Sequence, residues 1–156
     1  MTVRAALALL AALAPLACAL PRLPDRVAEC PGPLADVASL PGGDYALREK
    51  LRVRGPGVDS AFELVAERRG ARLVLVAFDP LGARAFSAVQ EGLAVEVESK
   101  LGRLLPIAPL DVLRDLHVAR LATEASEDRV SVKRPGCEHR SSFVRVERRA
   151  LAPSTD

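Results

Sequence analysis

The chain has no tryptophan, one tyrosine and four phenylalanines, so aromatic residues make up 3% of its 156 positions. That scarcity leaves few rings for stacking on bases or for building a sugar-binding shelf. Histidine is as rare, with His117 and His139 the only two. No Gly-x-Ser-x-Gly elbow, phosphate-cradling glycine loop or His-Glu-x-x-His pair occurs, so neither a catalytic residue nor a metal or cofactor is expected. Net charge is also small, at +2, and loss of an N-terminal leader would remove only Arg4. A broad basic face for nucleic acid is therefore not expected. The main apolar run, Ala5 to Ala17, falls short of the roughly 20 residues that span a bilayer, and Pro15 interrupts it.

That run has the form of an export signal: Arg4, about a dozen apolar residues, then small residues. Two cuts fit it. Cleavage before Cys18 would leave an acylated cysteine as the first residue of a lipoprotein, giving a signal at 1–17. Cleavage after Ala19 would release a soluble exported protein. Either route leaves Cys30 and Cys137 as an even pair in an oxidising compartment, and a disulfide between them is expected. A metal site at Cys137, Glu138 and His139 is disfavoured, because adjacent residues rarely converge on one ion.

Residues 18–44 hold Pro21, Pro24, Pro31, Pro33 and Pro41 with Gly32, Gly42 and Gly43, and read as a tether with one short helical turn at 34–40. A single domain follows over 45–150, with a tail at 151–156. Leu47, Glu49, Leu51 and Val53 alternate with Arg48, Lys50, Arg52 and Arg54, the pattern of a half-buried strand with one basic face. Strands at 61–68, 72–78, 84–90 and 93–99 come next, separated by Gly-containing turns, which makes an antiparallel meander. Pro109–Leu121 reads as a helix, with Pro109 at its first position and Leu110, Leu113, Leu116 and Leu121 along one stripe. Strands at 129–133 and 142–149 close the domain. Seven basic and two acidic residues lie between Arg129 and Arg149, which reads as a solvated face or as a contact for anionic headgroups.

Leu73-Val74-Leu75-Val76-Ala77-Phe78 is apolar throughout, and a strand apolar on both sides must be covered on both or enclose a ligand. The plainer expectation is a sheet packed between the helix and the N-terminal segment. The sharper one is an apolar cavity lined by Leu73, Val74, Leu75, Val76, Phe78 and Phe86. On the helix, Asp111 and Asp115 are one turn apart but look partly exposed, and His117 reads as a satisfied packing residue.

Leu73–Phe78, the turn Pro80-Leu81-Gly82-Ala83-Arg84-Ala85-Phe86 and the proline-marked stretch from Pro106 to Leu121 resemble the proteobacterial lipoproteins grouped as domain of unknown function 3261. Pro80-Leu81-Gly82 and Leu105-Pro106-Ile107 are also similar to features of the LolA/LolB lipoprotein carriers and receptors. The resemblance implies an α+β fold, a curved antiparallel half-barrel around one main helix, with an apolar hollow for acyl chains. It implies a non-catalytic protein handling lipids or lipoproteins at the periplasmic face of the outer membrane, since Ala19 is not the Asp that retains lipoproteins at the inner membrane. The alternative is a tethered interaction subunit that docks another envelope protein. Leu81, at the turn tip, is expected to fold back onto the sheet edge; the functional alternative is contact with a membrane or an acyl chain. Palmitate labelling tests the anchor directly: wild type should incorporate label and Cys18→Ser should not.

Overall fold

A computed structural model of the protein describes residues 25–121 and 127–152, so the leader, Cys18 and the last four residues lie outside the described part. Five strands follow one another as a meander: β1 (Tyr45–Gly55), β2 (Val58–Arg69), β3 (Arg72–Phe78), β4 (Arg84–Glu91) and β5 (Ala94–Glu98). The helix α1 (Pro109–Leu121) comes next, and then the hairpin β6 (Arg129–Val132) and β7 (Arg140–Ala150). The strands form one sheet in the order β5-β4-β3-β2-β1-β7-β6, every neighbouring pair antiparallel. The fold is α+β: a seven-stranded antiparallel sheet with one α-helix among the described residues.

Period-two alternation gives the sheet a dry face. Leu47, Leu51 and Val53 of β1, Phe62 and Leu64 of β2, Leu73 and Leu75 of β3, Phe86 of β4 and Phe143 of β7 are all buried there. A bulge opposite Ala77 and Phe78 inserts one extra residue into β4, so Ala85 and Phe86 are both buried. Val112, Leu113, Leu116 and Ala119 of α1 pack onto this face, with Leu105 and Ile107 from the segment before the helix. Fully burying a Leu or Phe side chain contributes about 1.5–3 kcal/mol, so this layer is the main source of stability.

The stretch that reads as a tether is part of the body from Asp25 onward. Val27, Val37 and Leu40 are buried in the same core. Its prolines exclude helix and strand, and only one 3-10 turn forms, at Val37–Ser39. They do not exclude an extended segment laid on the sheet, provided its carbonyls find donors. Gln90 Nε2 donates to Ala35 O at 2.8 Å, Arg68 Nη1 donates to Leu40 O, and Val27 N–H donates to Pro106 O at 2.9 Å. Gly55 lets the segment approach, since a Cβ there would lie 2.6 Å from Val27 Cγ1.

This placement changes the expected layering. Helix and N-terminal segment cover the same face, so the sheet is not sandwiched between them. The other face of β3, with Val74, Val76 and Phe78, is half-buried and carries no second layer among the described residues.

Candidate functional site

Two regions outside the apolar core have the chemistry of a site. The first is a buried polar cluster at the end of the sheet where the β1–β2, β3–β4 and β6–β7 turns lie. Asp111 and Asp115 are both buried on α1, contrary to the exposure expected of them. Arg134, in the β6–β7 connection, bridges them: Nη2 donates to Asp111 Oδ1 at 2.7 Å and Nε to Asp115 Oδ1 at 2.5 Å. Its third nitrogen, Nη1, donates to Cys30 O at 2.7 Å, while Cys30 N–H donates to Asp111 Oδ2 at 2.9 Å. Cys30 and Cys137 are joined as a disulfide with Cα atoms 5.4 Å apart.

Asp115 Oδ2 also accepts from Ser141 Oγ at 2.5 Å and sits 3.2 Å from His139 Nε2. An ionised carboxylate only accepts, so Nε2 carries the proton of that contact. Serine and histidine therefore both donate to the aspartate, and the serine is not held by the imidazole as a nucleophile would be. Burial alone would raise the Asp115 pKa, but the hydrogen bonds from His139, Ser141 and Arg134 outweigh it and hold the carboxyl below its ordinary value. With Cys137 in the disulfide, His139 on Asp115 and Glu138 exposed, the adjacent trio does not converge on a metal. The arrangement is a clamp that ties helix, hairpin and N-terminal segment together.

His117 is buried as expected, at 3% exposure, but neither ring nitrogen has a hydrogen-bond partner among the described residues. Burial pushes its pKa down to about 4 and keeps it neutral.

The second region is a trough of about 800 Å³ on the uncovered face, at the same end of the sheet. Ala61, Phe78, Pro80 and Val144 give it apolar walls, and the basic side chains Lys50, Arg52, Arg54 and Arg129 outnumber Glu63 and Asp79 along its lining. Its volume lies within the roughly 300–1,000 Å³ of small-molecule sites. The β3–β4 turn forms one lip. Asp79 Oδ1 accepts from the N–H groups of Leu81 and Ala83, each at 2.9 Å, and Gly82 takes the positive φ of 83° that closes the turn. The turn holds Leu81 outward, 93% exposed, instead of folding it back onto the sheet edge.

The six residues expected to line one cavity are divided between two faces. Leu73, Leu75 and Phe86 are fully buried against the helix layer, whereas Val74, Val76 and Phe78 face the open side. Strand geometry forces this, because neighbouring residues point to opposite faces. The space between sheet and helix is filled by side chains such as Phe86, Phe143, Leu75 and Ile107. Arg134 and Ser141 went unnoticed in the sequence. The one available signal was the i, i+4 spacing of two aspartates on an otherwise apolar helix face, which requires a buried cation.

The fold thus defines a class: an α+β domain with one open sheet face and a disulfide-clamped N-terminal segment. The chain belongs to the family described as "Protein of unknown function (DUF3261)", which matches residues 46–151. That span takes in the sheet, the helix and Cys137, and leaves Cys30 outside. No curated protein matches the chain.

Two predictions follow from the clamp and from His117. Arg134→Met should cost about 3 kcal/mol in urea unfolding, because Asp115 loses its cation and Asp111 keeps only Arg114, at 3.3 Å. Acid should destabilise the protein in two stages. His117 stays neutral when folded but gains a proton when unfolded, so stability falls from about pH 6.5 toward 4, by roughly 3 kcal/mol at most. The depressed Asp115 holds its contribution until pH drops below about 4 and loses it there. His117→Leu should abolish the first stage and leave the second, as read by melting temperature against pH.

Proposed function

We propose that the protein is a lipid-anchored, non-catalytic component of the bacterial cell envelope that binds acyl chains or lipoproteins at the outer membrane. The observation that carries this reading is Leu81, a fully displayed apolar residue on a rigid turn, at the lip of an apolar-walled trough. A large exposed apolar residue held out by its own turn is suited to entering a membrane or touching an acyl chain. The binding surface in this reading is the open face of the sheet, since the face beneath the helix is packed with side chains.

The half-barrel of the LolA/LolB carriers is part of the same proposal. Supporting it, α1 touches β4 and also β7 and β6, four and five strand spacings away, the latter roughly 24 Å on a flat sheet. A sheet curled about the helix brings those strands to it.

The anchor fits this geometry. Asp25 lies against Gly57 at the β1–β2 turn, where a Cβ would sit 2.8 Å from its carboxylate. The chain therefore enters the body at the end that carries Leu81 and the trough. From position 18 to position 27 is nine residues, which extend to at most roughly 30 Å. A lipid on Cys18 would hold this end of the sheet close to the membrane.

The second reading, a tethered subunit of an envelope assembly, is favoured by the half-exposed stripe Val65, Val74, Val76 and Val89 on the same open face. Native mass spectrometry of exported Cys18→Ser protein separates the two. Co-purified lipid supports the carrier, and lipid-free protein that binds one envelope protein through the valine stripe supports the subunit. Leu81→Glu should reduce sedimentation of the unanchored protein with vesicles by about tenfold, as expected for replacing a buried leucine with a charge. Unchanged sedimentation would remove Leu81 from the site.

A further inference from the structure

The charges on the open face are divided unevenly. Across β2, β3 and β4, each arginine has a carboxylate: Arg69 with Glu67 at 2.7 Å, Arg72 with Glu91 at 3.5 Å and Arg84 with Glu98 at 3.0 Å. On β1, Arg48 pairs with Glu63 at 2.6 Å and Arg52 with Asp59, but toward β7 and β6 the pattern changes. Arg54 and Arg140 are direct cross-strand partners on this face, like charge against like. Such a pair is destabilising, and Asp59, 3.6 Å from Arg54, is already held by Arg52 at 2.6 Å. Two rows along, Lys50 and Arg129 flank Val144; Lys50 also faces Glu63 across β1 and β2, whereas Arg129 and Arg140 have no ion pair among the described residues. Between those rows the hydroxyls of Ser131 and Ser142 lie 3.3 Å apart, the latter beside Arg52. Unpaired cations surround a pair of hydroxyls at the trough's edge. A face that needed only solubility would be served by the alternation seen on the other half of the sheet.

We infer that this half of the open face is a docking surface for the anionic phospholipid headgroups of the membrane that holds the anchor. The inference rests on the proposed membrane reading and adds headgroup selectivity to it. Charge complementarity assigns an anion to the unpaired cations and hydroxyls. Position assigns the membrane. The Arg54–Arg140 row lies at the end of the sheet where the chain arrives from Cys18, beside the turn that displays Leu81. A basic patch beside the anchor would orient the domain on an anionic surface and add to its attachment.

The test uses exported Cys18→Ser protein with vesicles of phosphatidylcholine alone and with one quarter phosphatidylglycerol. Binding should be at least tenfold stronger to the anionic vesicles and should weaken as salt is raised. Arg129→Glu with Arg140→Glu should lower anionic-vesicle binding by at least about twentyfold and leave binding to neutral vesicles unchanged. Since Arg140→Glu places an acid opposite Arg54, its melting temperature should hold or rise, so lost binding does not report unfolding. Equal binding to both vesicles, unaffected by the double variant, overturns the headgroup inference and leaves the acyl reading intact. Absence of binding to either vesicle overturns both. A thermal shift with inorganic phosphate, without vesicle preference, assigns the site to a small free anion and also overturns the inference.

Discussion

The guanidinium of Arg134 is the contact on which the remaining architecture depends. It touches the helix, the N-terminal segment and, through its own position, the β6–β7 hairpin. Two carboxylates buried side by side on one helical turn would repel each other and lose their hydration. A cation with three donor nitrogens in a rigid plane satisfies both, with a donor left for a backbone carbonyl. Buried ion pairs of this kind are weak sources of net stability, because desolvation offsets most of the attraction. Their effect is to fix arrangement. With Arg134 in place there is one way to dock α1 against the hairpin, and one place for Cys30 to meet Cys137.

The dry face follows from that docking. A seven-stranded sheet with a single 13-residue helix does not have enough helix to cover it, and the extended N-terminal segment supplies the missing cover. The polar side chains Arg68 and Gln90 point into this layer from the sheet because the segment's carbonyls require donors. The carbonyls of Ala35, Leu40 and Pro41 are thereby satisfied as the irregular chain is buried. The opposite face is left open, and it gathers the features with the character of a binding surface.

Much of the fold was legible in the sequence. The alternation from Leu47 to Arg54, the Gly turns and the Pro109 start placed the helix and nearly every strand close to where they lie, because periodicity is a local signal. The disulfide was legible from the two thiols that remain once Cys18, at the end of the apolar leader-like run, is set aside. The order of the five meander strands was legible as well, but the place of the closing hairpin was not. Nothing local shows that β7 lies beside β1, and that one adjacency brings Lys50 and Arg54 together with Arg129 and Arg140 on one surface. Read along the chain, they are two unremarkable basic strands. The fate of Leu81 was hidden for a different reason: whether a turn tip folds back depends on the hydrogen bonds of Asp79, not on the apolar residue itself.

The Cys30–Cys137 bond spans 107 positions and so bears on the order in which the molecule can mature. In a chain that crosses a membrane N-terminus first, Cys30 emerges long before its partner. The nearest thiol during that interval is Cys18. Three cysteines allow three pairings, and early oxidation would favour the short loop between positions 18 and 30. Blocking or removing the thiol at position 18 leaves a single pairing, the native one. In the exported protein proposed above, processing of the leader would act as a timing device for oxidative folding, removing the competing partner before the correct one arrives.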